Sequence, residues 1–263
     1  MQRLDAARLR ARADQPPAAP RATLSTRDGA PIGSIEPALA HDLCNAGLPL
    51  APYLEGWRVA APLDPAFERI ARWLSTHRLG GRWRDERLDV ADASGHLVGA
   101  IERAVVRPLG IATRAVHLVG HTPDGRVWVQ QRALDKAVDP GRWDTLMGGL
   151  MAAGETVAKT LERETWEEAG LRLAQLDRLA GFGRFTVRRP VDDGYMVEHI
   201  HCYEACVPDG LRPLNQDGEV LHFEALDAAT LEQRLCADAF TLEAAVVLLR
   251  WQERGAAVPK RAR

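Results

Sequence analysis

The sequence predicts an α/β fold in two parts: a small α+β domain, then a larger domain in which helices cover a mixed sheet. Three observations carry this reading. The chain has 263 residues, enough for one large domain or two modest ones. Residues 155–169 repeat with a helical period, and strand-like patterns lie on both sides of them. Arg107-Pro108-Leu109-Gly110 breaks this pattern from an earlier, self-contained one. The expected organisation is a flexible segment at 1–22, the small domain at 23–110, the larger domain at 111–254 and a tail at 255–263.

Residues 14–22, with Pro16, Pro17 and Pro20, read as a linker after a frayed amphipathic helix. Ile32 to Ile35 reads as a strand, and Glu36-Pro37 opens a helix that ends near Asn45-Ala46-Gly47. Asp64-Pro65 starts a second helix, whose apolar stripe is Phe67, Ile70, Ala71 and Leu74. Arg87 to Val90 and Leu97 to Ile101 form a hairpin around Ala93-Ser94-Gly95. In the larger domain, Val116, Leu118 and Gly120 lead into the turn Thr122-Pro123-Asp124-Gly125, and Val127 to Gln131 returns. Asp139-Pro140-Gly141 marks a loop before Gly148-Gly149. Residues 195–207 alternate as a strand, and a last helix spans about 241–254.

Charge and cysteine usage exclude several classes. The 34 Lys and Arg against 36 Asp and Glu leave a net charge of -2, so no global field draws nucleic acid or an anionic membrane. Only Lys136, Lys159 and Lys260 are lysines, so 34 − 3 = 31 of these cations are arginines. Scattered among many Ala, Gly and Pro, they reflect base composition more than a grip on phosphate. Cys44, Cys202, Cys206 and Cys236 form no CxxC and no disulfide framework, which suits reduced thiols. No run approaches the roughly 20 apolar residues of a membrane span, and residues 1–13 lack the apolar core of a signal peptide. The expectation is a cytoplasmic protein with neither nucleic acid nor membrane as partner; a homodimer is left open.

The chemistry concentrates in one segment: Gly149, five residues, Glu155, seven residues, then Arg163-Glu164-Thr165-Trp166-Glu167-Glu168-Ala169-Gly170-Leu171. At about 100° per residue, Glu164, Glu167 and Glu168 share an arc of roughly 100° on one helix. Ala158, Leu161, Thr165 and Ala169 take the neighbouring arc, the one expected to face the sheet. Like charges at i,i+4 repel. A divalent cation converts that repulsion into coordination, and carboxylate oxygens suit Mg²⁺, with Mn²⁺ as a substitute. Gly148-Gly149 lets the backbone pass close to a ligand, and Gly170 suits a left-handed helix cap. Arg163, beside the carboxylates, suits an orienting role. Taken alone, Glu-x-x-Glu-Glu also describes a solvated helix face.

The full spacing resembles the box of the Nudix hydrolases, with eight of the nine specified positions in agreement; Thr165 stands where an aliphatic residue is usual. The resemblance extends over about 111–254 and implies an α/β/α sandwich. It also implies magnesium ligands at Glu164 and Glu168, with Glu167 as a further ligand or as the base that activates water. The Gly148 carbonyl and a distal carboxylate, Glu219 in Asp217-Gly218-Glu219-Val220, would complete the metal site. Water then attacks one phosphorus of a small-molecule diphosphate, and the metal neutralises charge on the departing phosphate. Gly80 to Glu86, Lys136 with Asp139 to Asp144, and Asn215 to Val220 resemble a narrower Nudix subgroup, one associated with thiamine pyrophosphokinase and carrying an extra N-terminal domain. That resemblance implies thiamine diphosphate, or an oxidised or damaged analogue, cleaved to the monophosphate. The alternatives are a nucleoside-diphosphate substrate (ADP-ribose, NADH or a dNTP), a non-catalytic metabolite sensor, and diphosphate isomerisation, which needs a different set of acid and thiol groups.

Lys136 and Arg142, in the loop before the box, are candidates to bind phosphate. His199 is a candidate for the substrate cleft, since one face of its strand is expected to line it. Alternation sets His199 and His201 on the face opposite Cys202 and Cys206, so these four cannot converge on zinc. Trp166 is expected to pack in the core or between domains.

Overall fold

The computed structural model describes residues 5–60 and 62–257. Helix α1 (Ala6–Ala13) comes first, with Asp5 accepting from the Arg8 N–H at its N-terminus. The leading unit follows as β1 (Ala22–Ser25), β2 (Pro31–Ile35), α2 (Pro37–Asn45), β3 (Leu50–Tyr53), β4 (Gly56–Val59), α3 (Leu63–Thr76), β5 (Arg87–Ala91) and β6 (Leu97–Glu102). Its sheet has the order β2-β1-β4-β3, and β5-β6 is a separate antiparallel hairpin. The apolar stripe of α3 is buried as its spacing predicts: Phe67, Ile70, Ala71 and Leu74 join Leu24, Ile35, Leu88 and Ile101 in one core.

The second unit contains β7 (Thr113–His121), β8 (Val127–Arg132), β9 (Trp143–Asp144), β10 (Met147–Leu150), α4 (Val157–Ala169), β11 (Asp177–Val191), β12 (Gly194–Cys206), β13 (Val220–Leu226), α5 (Ala228–Cys236) and α6 (Leu242–Ala257). Its sheet runs β11-β12-β7-β8-β13, with β10 added to β7 and β9 to β8. The sheet is mixed, because β12 pairs with β7 in parallel and its other neighbours are antiparallel. Period-two alternation along β7 splits the core. Ala115 and Val119 face a cluster that includes Val247 and Leu248 of α6, while Val116 and Leu118 face Leu161 and Ala169 of α4. Helices therefore cover both faces, giving the expected α/β/α arrangement.

The leading segment departs from the expected flexibility. Helix α1 is docked: Leu9 and Ala13 are buried in the cluster beneath α6, and Gln15 N–H donates to the Arg188 carbonyl of β11. Leu9 and Ala13, with Ala6 packed beside them and Arg12 paired with Asp238, tie down a helix too short to hold alone. At the other end, 255–257 continue α6 instead of starting a tail, and the remaining tail residues lie outside the described ones. No described helix is long and apolar enough to cross a membrane.

Candidate active site

Thr156 caps α4 by accepting from the Lys159 N–H, and Gly170 ends the helix in the left-handed conformation (φ 63°). Between these caps Thr160, Leu161, Thr165, Glu168 and Ala169 are buried, so Glu168 lies on the edge that meets the sheet; Ala158 is exposed instead. Thr165 satisfies its hydroxyl by donating to the Leu161 carbonyl, which explains how a polar residue fits an apolar position.

The sheet approaches this helix through β10. Gly149 pairs with Val116, and a Cβ at Gly149 would fall 2.0 Å from the Glu164 carboxyl carbon. Only glycine lets that side chain lie against the strand. Glu168 accepts from the Gly148 N–H (3.0 Å) and from Gln130 Nε2 (2.8 Å). Burial and the neighbouring Glu164 push the Glu168 carboxyl well above its ordinary range, against those two donors. Burial also raises Glu164, although Arg163 works against it. These two adjacent carboxylates are desolvated, and apart from Arg163 beside Glu164 their donors are neutral.

Arg163 connects the box. It donates to both oxygens of Glu155 (2.9 and 2.8 Å), to Glu164 (2.8 Å), to Glu167 (2.9 Å) and to the Leu150 carbonyl. Glu155 also accepts from Thr160 Oγ1 and the Ala152 N–H, and Arg163 above all holds its carboxyl at about 2. Glu167 is more exposed than Glu164 or Glu168 and shares the guanidinium edge used by Glu164. Among the described residues no three His, Cys, Asp or Glu side chains stand close enough to hold a metal ion as they are. Arg163 draws in Glu164 and Glu167, and Lys136 draws in Glu219.

Glu164, Glu168, Gly148, Glu219 and Lys136 all line one cleft. Burial would raise Glu219, but Lys136 first, then Arg103 and Arg132, hold its carboxyl below its ordinary value. Arg142 does not line this cleft; its guanidinium donates to the carbonyls of Phe240 and Asp238 and pins the α5–α6 loop. His199 is also outside it. It hydrogen-bonds Thr186 and faces a separate cavity with His201, Asp89 and Arg184. Alternation along β12 sends Glu198 to the cleft instead, one residue from the expected position. Trp166 is 43% exposed under the Arg172 guanidinium, not packed in a core.

Glu198, His117 and Asp144 line the cleft from outside the box, and buried Gln130 backs it through its bond to Glu168. Gln130 and Glu198 are described above. His117, buried and paired with Gly148 across the strands, hydrogen-bonds Thr145; burial lowers its pKa against the pull of Asp144. Asp144 accepts from the Thr145 N–H and lies 3.7 Å from Arg132. A polar Gln130 ending the apolar run Val127–Val129 was a readable signal; His117 within β7 was another.

Fold and motif together, an α/β/α sandwich with a cleft rich in carboxylates at a helix–sheet edge, define the class of protein. The profile of the NUDIX domain matches residues 112–246, which is 135 of 263 residues. The chain belongs to the Nudix family. It is 32% identical over 133 residues to Nudix hydrolase 24, chloroplastic, of Arabidopsis thaliana, covering 49% of this chain and 36% of that protein. It is also 32% identical over 158 residues to an isopentenyl-diphosphate Delta-isomerase of Streptomyces avermitilis, covering 59% of this chain and 77% of that protein. A crystal structure from Deinococcus radiodurans aligns with TM-score 0.51 at 22% identity, over 64% of this chain and 98% of that one, a likeness of fold. The chain spans about a third of the length of the plant relative.

Proposed function

We propose that the protein is a divalent-metal-dependent hydrolase of a small-molecule diphosphate. The observation that carries this is geometric: Glu164 lies against Gly149 and Glu168 against the Gly148 N–H and Gln130, so both carboxylates of one helix edge line a single cleft. Glu164, Glu168, Glu219 and the Gly148 carbonyl would hold the metal, Mg²⁺ or Mn²⁺, with Glu167 as a further ligand or as base. The bound metal supplies electrostatic stabilisation of the diphosphate and its departing phosphate. As base, Glu167, exposed enough to meet water, would take the proton as water attacks one phosphorus and the other phosphate leaves. Arg163 orients Glu164 and Glu167 while Glu155 fixes Arg163 from behind. Lys136, now paired with Glu219, would be free to meet substrate phosphate if that carboxylate served as a metal ligand.

For the substrate we favour thiamine diphosphate or an oxidised or damaged analogue, cleaved to the monophosphate. Support comes from the segments around Gly80-Gly81, Lys136 and Asn215 to Val220 that resemble the narrower subgroup. A panel of oxythiamine diphosphate, thiamine diphosphate, ADP-ribose, NADH and dNTPs, scored by product, tests this. Release of a thiamine-type monophosphate supports it; exclusive cleavage of ADP-ribose replaces it with the nucleoside-diphosphate reading.

The identity to the isomerase favours a second reading, rearrangement of a diphosphate ester. That chemistry needs a thiol and an acid at the reacting carbon. Among the described residues no cysteine lines the cleft, and Cys202 and Cys206 are buried. Hydrolysis is the better fit.

A further inference from the structure

The leading unit also builds part of the cleft. The short helical turn Arg103–Val105 and the loop after it place Arg103 and Arg107 in the same wall space as Glu164, Glu168 and Glu219. This turn is firmly held. Buried Glu102 accepts from the Arg84 and Ala104 N–H groups, and the Gly81 N–H donates to the Ala104 carbonyl. From the second unit, the Tyr195 N–H at the β11–β12 tip donates to the Arg107 carbonyl.

The five cations of the cleft fall into two kinds. Arg132 is paired with Asp144, Lys136 with Glu219 and Arg189 with Glu243, all carboxylates of the cleft itself. Arg103 and Arg107 are anchored from outside it, by Glu86 (2.7 Å) and Asp193 (3.3 Å). Each uses one guanidinium nitrogen for its anchor, so the remaining N–H groups have no protein acceptor among the described residues. Two anchored guanidinium forks with unused donors are a phosphate site. Beyond them the space continues into a cavity lined by Val106, Ile111, Met196 and Val197, which shares Arg103, Arg107 and Glu198 with the cleft.

We propose that the leading unit is part of the substrate site: Arg103 and Arg107 bind the substrate's diphosphate, and the adjoining cavity holds the organic group esterified to it. This rests on reading the cleft as the place of diphosphate hydrolysis. It assigns the leading unit to substrate selection, because the cavity, whose lining mixes apolar side chains with Arg82, Arg84 and Asp193, is walled by both units.

Calorimetric titration of the full-length protein with inorganic pyrophosphate, at saturating Mg²⁺, tests the proposal independently of turnover. Arg103→Ala and Arg107→Ala should each weaken binding by about tenfold or more. Arg103→Lys, which keeps the charge and loses the fork, should fall between. Arg72→Ala, on the solvent face of α3 and paired with Glu68, should change nothing. Thermal melts confirm that each variant is folded. Wild-type affinity in both alanine variants, an equal loss in Arg72→Ala, or no pyrophosphate binding by the wild type overturns the assignment. Turnover of a panel substrate with unaltered pyrophosphate binding in the arginine variants would leave the hydrolase reading standing and remove this one.

Discussion

Glu155 and Glu168 belong to the same motif and are both largely removed from solvent, yet their surroundings are opposite. Glu155 receives two donors from one edge of the Arg163 guanidinium, the Thr160 hydroxyl and the Ala152 N–H, which hold its carboxyl down at about 2. Glu168 receives two neutral donors, stands beside Glu164 and is pushed up by burial. A fully compensated carboxylate fastens the loop to the helix. An under-compensated one is unstable until something positive arrives. The difference separates scaffold from chemistry within one motif, and each expected outcome below probes one side of it.

The largest effect falls on the under-compensated side. Glu168→Gln or Glu164→Gln should lower turnover by about 10³-fold or more, the scale of losing a dominant electrostatic stabiliser. The metal-free melting temperature should rise or hold, because a buried carboxyl that burial disfavours in its charged form is replaced by a neutral amide. Near-wild-type turnover in either variant would erase the distinction.

Glu155→Gln should do the reverse, costing about 1–3 kcal/mol of stability as charged hydrogen bonds to Arg163 are lost, measured by denaturant unfolding. Because the Glu155 carboxyl sits below its ordinary value, its contribution is complete above about pH 4.5 and fades as pH falls towards about 2. The gap between wild type and variant should therefore close in acid.

Glu198 offers an intermediate case in the same cleft. Burial and the charge of Glu243 push it up to about 7, with Thr113, Arg107 and Arg103 only partly opposing. A raised carboxyl favours the protonated fold, so its contribution is present below the ordinary value and is lost as pH climbs through about 7. Glu198→Gln should flatten the fall in melting temperature between about pH 5 and 8, a difference on the order of 1–2 kcal/mol after allowing for its partial exposure. Parallel curves for wild type and variant would show that Glu198 is compensated after all.

Thr165→Val, which restores an aliphatic residue, should change stability by less than about 1 kcal/mol and leave turnover within about twofold. The Thr165 hydroxyl serves only the Leu161 carbonyl within the helix. A large loss of turnover would give this residue a part in the chemistry.

Local signals made much of this legible. The turn Thr122 to Gly125 specified the β7–β8 hairpin, and the spacing of Phe67, Ile70 and Leu74 specified α3. Strand β11 was hidden: Arg178, Arg184, Arg188, Arg189 and Pro190 mask its alternation, and pairing along β12 is what fixes it. The docking of α1 depends on α6 and β11, far along the chain. At the site, the helical carboxylates follow from the motif's spacing alone. His117, Glu198, Arg103 and Arg107 reach the cleft, and Gln130 reaches Glu168, only through strand register and contact between the two units, which no local pattern encodes.

The central claim is that the charge of Glu168 awaits a divalent cation. Melting temperature measured against Mg²⁺ concentration, for wild type and Glu168→Gln side by side, tests it directly. Binding to the folded state alone raises stability with the logarithm of free metal above the dissociation constant. The account predicts a saturable rise for the wild type and none for the variant, which starts equal or higher without metal. Equal metal-dependent rises in both proteins would contradict it.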